Sequence, residues 1–341
     1  MLSVPPVARH RREFNEYLRL LISDQQPWLL SRMIRYHLGW EDAEGRPQEA
    51  GGKALRPTLC LLACEATGGD WHRALPAAAA VELVHNFSLI HDDIQDRDRE
   101  RHHRPTVWSI WGEAQAINAG DALLALARPV LLRLVDRGVP AVTVIEAARV
   151  LDESTLEMVA GQTLDIAFEE KSDVDVPAYL QMVRQKSGAL FDCALRLGTL
   201  AGDGDWELAE RLGRVGRTLG TAFQVRDDML GIWGDESKTG KATHADVYRR
   251  KKSMPVVYAL SEGKAEVREG LRAIYEKPAL DDEDVAQVRH YLDEAGPRAY
   301  CQRQAAELKE GAIAELEGLE LLPRPRAEIV QLADFLLERE F

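Results

Sequence analysis

A chain of 341 residues with 45% apolar side chains is long enough to bury a sizeable core, in one large domain or two. Its 43 basic and 56 acidic residues leave a formal charge of −13, which argues against nucleic acid or an anionic membrane surface as a partner. An acidic chain that handles an anionic ligand needs local cations or metal ions. The four cysteines, Cys60, Cys64, Cys193 and Cys301, form no CxxC pair and suit a reduced, cytoplasmic protein. Cys60 and Cys64, four apart, fit one apolar helix face better than a metal site.

The N-terminus turns polar almost at once and shows no apolar leader segment. The most apolar stretches, 59–66 and 77–84, are too short or too interrupted to span a bilayer. Alanine, leucine, glutamate and arginine dominate, apolar positions recur three and four apart, and β-branched alternation is scarce, so the chain reads as helical nearly throughout. Breaks are predicted at 39–52, 67–70, 101–106, 136–140, 169–177, 202–205, 234–243 and 277–281. Asp70, Asp205 and Asp281 stand where N-caps belong, and 169–176 reads as an exposed loop. With no low-complexity linker and no fixed-period repeat, the expectation is a single all-α domain over 1–341.

In chain order, the first chemistry-bearing segment is Gly51-Gly52-Lys53-Ala54-Leu55-Arg56-Pro57, which opens a helix after a polar loop. Its glycines let backbone approach a ligand, and Lys53 and Arg56 lie three apart near a positive helix N-terminus. That is a plausible diphosphate site that needs no metal.

Residues 77–106 follow, a buried helix ending in Asp92, Asp93 and Asp96, a DDxxD pattern. Asp92 and Asp96 fall on one helix face, with His85 on the same stripe. Two carboxylates one turn apart repel unless a cation lies between them, and Mg²⁺ takes oxygen ligands and completes its shell with water and substrate phosphate. A second helix over 213–234 carries Gln224, Asp227 and Asp228 three and four apart, and facing helices that each bring carboxylates to a bundle interior can build a metal site. The alternative there is a buried salt bridge between the aspartates and Arg226. Arg101, Lys186, Lys241, Lys251 and Lys252 lie at motif boundaries. Singly each reads as a surface charge, and together they offer two anion-binding neighbourhoods.

From about Tyr36 to Leu260, the order and spacing of these residues resemble the trans-isoprenyl diphosphate synthase (polyprenyl synthetase) family, which includes farnesyl and geranylgeranyl diphosphate synthases. The resemblance implies the type I isoprenoid synthase helical bundle with a deep central cavity, usually a homodimer, and Mg²⁺ as cofactor. It implies Asp92, Asp96 and Asp227 as Mg²⁺ ligands, and Lys53, Arg56 and His85 as partners of isopentenyl diphosphate. Arg101, Lys186, Gln224, Lys241 and Lys251 match positions holding the allylic diphosphate; Ser187 stands where threonine is usual, and Gln162 and Asp165 line the site in support. Two departures stand out. His102 replaces the second of two arginines that hold isopentenyl diphosphate, with Arg104 as a candidate substitute, and Gly231 replaces the last aspartate of the second motif, with Asp235 as a candidate helper.

The reaction so implied is head-to-tail condensation of isopentenyl diphosphate with dimethylallyl, geranyl or farnesyl diphosphate. Geranylgeranyl diphosphate is the expected product, with farnesyl diphosphate second. By helical phase Ser88, Val81 and Ala78 line the stripe below the acidic pair, and family members resembling geranylgeranyl synthases use an aromatic at the Phe87 position as a floor. A class I terpene cyclase or a non-catalytic partner subunit are the competing readings; Lys53, Arg56 and His85 argue against the first, the intact aspartates against the second.

Overall fold

The computed structural model describes residues 5–23, 28–48, 52, 54–171, 173–234 and 245–337. Lys53, Lys241 and Asp235 lie outside the described residues. By contact density the chain divides into two compact units. Unit 1 comprises 1–155, 190–213 and 318–332; unit 2 comprises 156–189, 214–317 and 333–341.

Unit 1 is built from α1 (Pro5–Ser23), α2 (Trp28–His37), α3 (Leu55–Ala66), α4 (Leu75–Gln95), α5 (Val107–Trp111), α6 (Glu113–Leu132), the first half of α7 (Ala141–Glu169) and α9 (Ala189–Ala201). The α4 helix starts with Pro76 in its first turn, where no intrahelical N–H is needed. Its run Ala77–Val81, Leu83 and Val84 is buried on nearly every side, as a core helix requires. It packs beside α6, whose Ala116, Ala119 and Leu123 are fully buried.

Unit 2 holds the second half of α7, then α8 (Val176–Val183), a π turn over Arg184–Gly188, most of α10 (Trp206–Trp233), α11 (Ala245–Tyr248), α12 (Met254–Glu262), α13 (Ala265–Tyr275), α14 (Asp282–Ala295) and α15 (Pro297–Glu317). α16 (Pro323–Leu337) begins in unit 1 and ends in unit 2. One unit 2 core gathers Phe168, Tyr179, Met182, Val225, Met229, Met254 and Val257; another gathers Ile232, Val247, Val256, Leu271, Val285 and Leu292. Each such side chain, fully buried, stabilises the fold by about 1.5–3 kcal/mol before chain entropy is charged against it.

The predicted caps hold. Asp70 accepts from the His72 N–H, Asp205 from that of Leu208, and Asp281 forms a capping box with Asp284. All four cysteines are buried and free, and burial pushes the Cys64 and Cys193 thiols up to about 12, which leaves them unreactive. No helix among the described residues is long and apolar enough to cross a membrane.

Two segments differ from expectation. The break at 101–106 is a small antiparallel hairpin, β1 (Glu100–Arg101) with β2 (Arg104–Pro105), turned by His102 and His103 at φ of 52° and 59°. Strands of two residues are too short to show alternation in a sequence. The loop at 169–176 is not exposed throughout: Val174 is buried, and Asp175 caps α8 by accepting from the Ala178 N–H.

Candidate active site

Burial divides the first acidic motif. Asp92 sits on the last turn of α4 and Asp96 is its C-cap, both only partly buried, and the Asp96 N–H closes onto the Asp92 carbonyl at 2.8 Å. Asp93 points inward and is 2% exposed. Burial pushes its carboxyl up to about 6, against the pull of Arg101, which donates to Oδ1 through Nε at 2.8 Å and reaches it through Nη2 at 2.7 Å. The hairpin is thereby fastened to the end of α4, and Arg101, assigned by resemblance to the allylic diphosphate, is anchored by Asp93.

A cationic pocket lies along the same helix. The Arg56 Nη1 meets His85 Nε2 at 3.2 Å, its guanidinium covers the Phe191 ring at 4.7 Å, and its buried Nε has no hydrogen-bond partner among the described residues. Burial lowers Arg56 to about 10 while Glu82 opposes the shift, so it stays charged at neutral pH. Burial, then Arg56, Arg101 and His37, hold His85 well below its usual range, so the ring is neutral. His37, unsuspected from the sequence, is the third member; burial, with Arg101 next, lowers it to about 3. A guanidinium with few internal acceptors and the neutral His85 ring against it favours an incoming anion.

His102 stands exposed at the hairpin turn. Arg104 does not stand in for it: its Nη2 donates to the Tyr36 and Glu41 carbonyls at 3.0 Å and it stacks on the Tyr36 ring at 4.3 Å, while the Tyr36 hydroxyl donates to the Pro105 carbonyl at 2.6 Å. Arg104 thus ties the hairpin to α2. Phe87 is buried with its ring edge-on to His91 at 5.0 Å, and Ser88 donates to the His85 carbonyl at 2.8 Å. Val81 and Ala78, below them, are fully buried.

In unit 2 the second motif repeats the division. Asp227 is partly buried, whereas Asp228 is 2% exposed. Asp228 Oδ2 accepts from the Tyr179 hydroxyl and from the Met254 N–H at 2.8 Å, and Oδ1 accepts from Gln224 Nε2 at 2.8 Å. Gln224 in turn accepts from the Ser187 hydroxyl at 2.7 Å. The partners of Asp228 are a tyrosine, a glutamine and an amide rather than Arg226, so the salt-bridge alternative does not hold for it. Burial raises the Asp228 carboxyl, and the charge of Lys251 is the largest effect opposing it.

Lys186 rides on the π turn, a helix irregularity common at functional sites, and donates to Asp165 Oδ2 at 2.6 Å. Gly161 on α7 permits this approach, because a Cβ there would lie 2.2 Å from the Lys186 backbone nitrogen. Burial pushes Asp165 up, but Lys186 and Lys251 outweigh it and hold the carboxyl below its usual range. Lys186, Ser187, Gln224 and Lys251 thus converge on the inner face of the second motif. Lys252 does not join them; it is buried over the Tyr275 ring at 4.6 Å, and burial lowers it to about 8.

Among the described residues no three His, Cys, Asp or Glu side chains converge as a complete metal site. The donor types nevertheless suit a hard cation whose remaining ligands are phosphate oxygens and water, because the partly buried carboxylates, Asp92 and Asp96 in unit 1 and Asp227 in unit 2, offer oxygen alone.

A family model for polyprenyl synthetase matches residues 46–292. The chain belongs to the polyprenyl synthetase family. It is similar to a geranylgeranyl diphosphate synthase of Mycobacterium tuberculosis, 41% identical over 94% of this chain and 89% of that one. It is also similar to a (2E,6E)-farnesyl diphosphate synthase of Mycobacterium bovis, 39% identical over 90% of this chain and 86% of that one. The crystal structure of a polyprenyl synthetase from Streptomyces coelicolor A3(2) superposes with a TM-score of 0.90 at 40% identity, covering 98% of this chain and 100% of that one. This polyprenyl synthetase is therefore an all-α prenyltransferase with the isoprenoid synthase helical fold, in a family that depends on divalent metal ions.

The neutral histidines give a pH signature. His37 is held at about 3 in the fold against an ordinary 6.5, so its contribution to stability is present above about 6.5 and is lost as pH falls toward 3; His85 acts in the same sense. The urea midpoint is expected to fall over that range, and His37→Gln to flatten the slope. An identical slope in the variant would show that His37 does not carry it.

Proposed function

We propose that this polyprenyl synthetase condenses isopentenyl diphosphate head to tail with an allylic diphosphate, using Mg²⁺, and releases geranylgeranyl diphosphate and inorganic diphosphate. The observation that supports it most is the division of each acidic pair, with Asp93 and Asp228 buried and partnered while Asp92, Asp96 and Asp227 reach solvent. In this reading those three hold Mg²⁺, which when bound supplies positive charge to the leaving diphosphate. The family match runs through both units, which supports their acting as one synthase domain.

The cations then have distinct work. Arg101 in unit 1, and Lys186 with Lys251 in unit 2, are each assigned to the allylic diphosphate as its C–O bond breaks, and Arg101 and Lys186 are preorganised for it, each fixed by a buried carboxylate. Lys241 is assigned there too, and Lys53 with Arg56 and His85 to isopentenyl diphosphate, whose double bond attacks the allylic cation; the contribution is mainly positional. His102 is assigned a minor contact with isopentenyl diphosphate, since an exposed imidazole is a weaker phosphate partner than arginine. Ser187 and Gln224 hold the inner side of the second motif in register through Asp228. The released diphosphate is the base for the last proton, and the apolar wall of α4 keeps water from the cation.

Product length is set by the wall below Asp92. Phe87, held edge-on by His91, is the floor, with Ser88 beside it. Farnesyl diphosphate is the second reading, because both product names occur among the relatives. The protein is proposed to be cytoplasmic and homodimeric; exposed Val142, Ile145, Leu156, Val159 and Ile166 along α7 give a second copy an apolar surface to cover.

Radiolabelled isopentenyl diphosphate with geranyl or farnesyl diphosphate tests the reading. Asp92→Ala and Asp227→Ala should each lower kcat by about 100-fold or more, and near wild-type turnover in both would defeat the assignment. Cyclic hydrocarbon from the allylic diphosphate alone would favour a cyclase. On chromatography of the products, Phe87→Ala should lengthen the chain, and an unchanged spectrum would remove Phe87 as the floor.

A further inference from the structure

The second acidic motif ends in Gly231, one helical turn beyond Asp227, just as Asp96 lies one turn beyond Asp92. The space beside Gly231 is occupied. A Cβ built there would lie 2.5 Å from Asp246 Oδ2, 3.3 Å from its Cγ and 3.9 Å from its Cβ. The order of these distances shows the carboxylate pointing at Gly231. Side chains one turn apart on a helix have Cβ atoms about 5–6 Å apart, so the Asp246 carboxylate sits where a residue at 231 would present its own group beside Asp227.

The backbone around Asp246 is fixed. Ile232 and Val247 are each 1% exposed in the same core cluster, which presses α11 against the end of α10. The Asp246 carbonyl accepts from the Lys251 N–H at 2.9 Å, and the Val247 carbonyl accepts from the Arg250 N–H at 2.8 Å, with Arg250 at φ 57°. Asp246 and Lys251 therefore ride on one turn packed beside the second motif.

We propose that Asp246 supplies the carboxylate that the second motif lacks at Gly231, its carboxylate occupying the space that a side chain at 231 would take. The inference rests on the reading of Asp227 as a Mg²⁺-holding residue and adds a second carboxylate to it. A side chain at 231 meets the mobile end of Asp246, so the helix accommodates it by turning that carboxylate away. Gly231→Asp consequently exchanges one acidic group for another instead of adding one.

The test follows thermal unfolding of the full chain while Mg²⁺ is titrated at fixed inorganic diphosphate. Asp246→Ala should raise the Mg²⁺ concentration at half-maximal stabilisation about tenfold, Gly231→Asp alone should give no lower midpoint than wild type, and Gly231→Asp with Asp246→Ala should return toward wild type. Asp246→Asn, which keeps the volume and removes the charge, should behave as the alanine variant does and serves if alanine loosens the turn. Asp227→Ala is the control. If it raises the midpoint while both Asp246 variants leave it unchanged, the inference alone is overturned; if Asp227→Ala has no effect, the metal reading falls and takes the inference with it. A double variant no better than Asp246→Ala would also overturn it, since a merely structural role for Asp246 gives no rescue from position 231.

Discussion

The hydrogen bonds that hold Asp93 and Asp228 are the constraint from which the rest of the site follows. A carboxylate taken out of water is costly unless donors meet it, and these two are met differently. Asp93 is held by one guanidinium, and burial still lifts it to about 6. Asp228 gathers a hydroxyl, an amide N–H and a carboxamide N–H around its two oxygens. In both cases the inward aspartate fixes the rotation of its helix, and that rotation turns the preceding residue, Asp92 or Asp227, to the other side. The helix period does the remainder by carrying Asp96 onto the face of Asp92.

The same logic orders the cations. Arg101 and Lys186 are each held by a buried acid, Asp93 or Asp165, and so point in fixed directions before any ligand arrives. Arg56 has an aromatic face and a neutral histidine beside it, with Glu82 as the nearby counter-charge. A chain of net charge −13 attracts an anion through such local arrangements rather than through its overall field. Histidines kept neutral at 37 and 85 add shape without adding charge that would have to be desolvated.

Much of this was legible in the sequence. The helix breaks followed glycine, proline and aspartate, the caps at Asp70, Asp205 and Asp281 were read correctly, and the two acidic motifs placed the chain in its family. The partners that matter most were not legible, because they come from elements distant in sequence. Nothing in the run around Tyr179 announces that its hydroxyl meets Asp228, 49 residues away, and His37 lies 48 residues before His85 at the end of a different helix. Arg104 looked like a substitute for a missing arginine until its guanidinium was found on the Tyr36 and Glu41 carbonyls. Sequence spacing identifies which residues share a face of one helix and cannot say which side chains from other elements will meet them.

The division of labour within the acidic pairs is tested most directly by comparing four asparagine variants for stability without metal and for stabilisation by Mg²⁺ with inorganic diphosphate. At Asp228 an amide must leave a buried donor unmet, and at Asp93 it removes the charge that Arg101 pairs with and brings a buried amide N–H₂ in its place, so each of these two variants should lose about 1–3 kcal/mol in metal-free buffer and keep a response to the added ions. Asp92→Asn and Asp227→Asn should unfold like wild type in metal-free buffer and lose most of that response. The opposite pattern, with unstable Asp92 and Asp227 variants and an ion response lost at Asp93 and Asp228, would contradict the account.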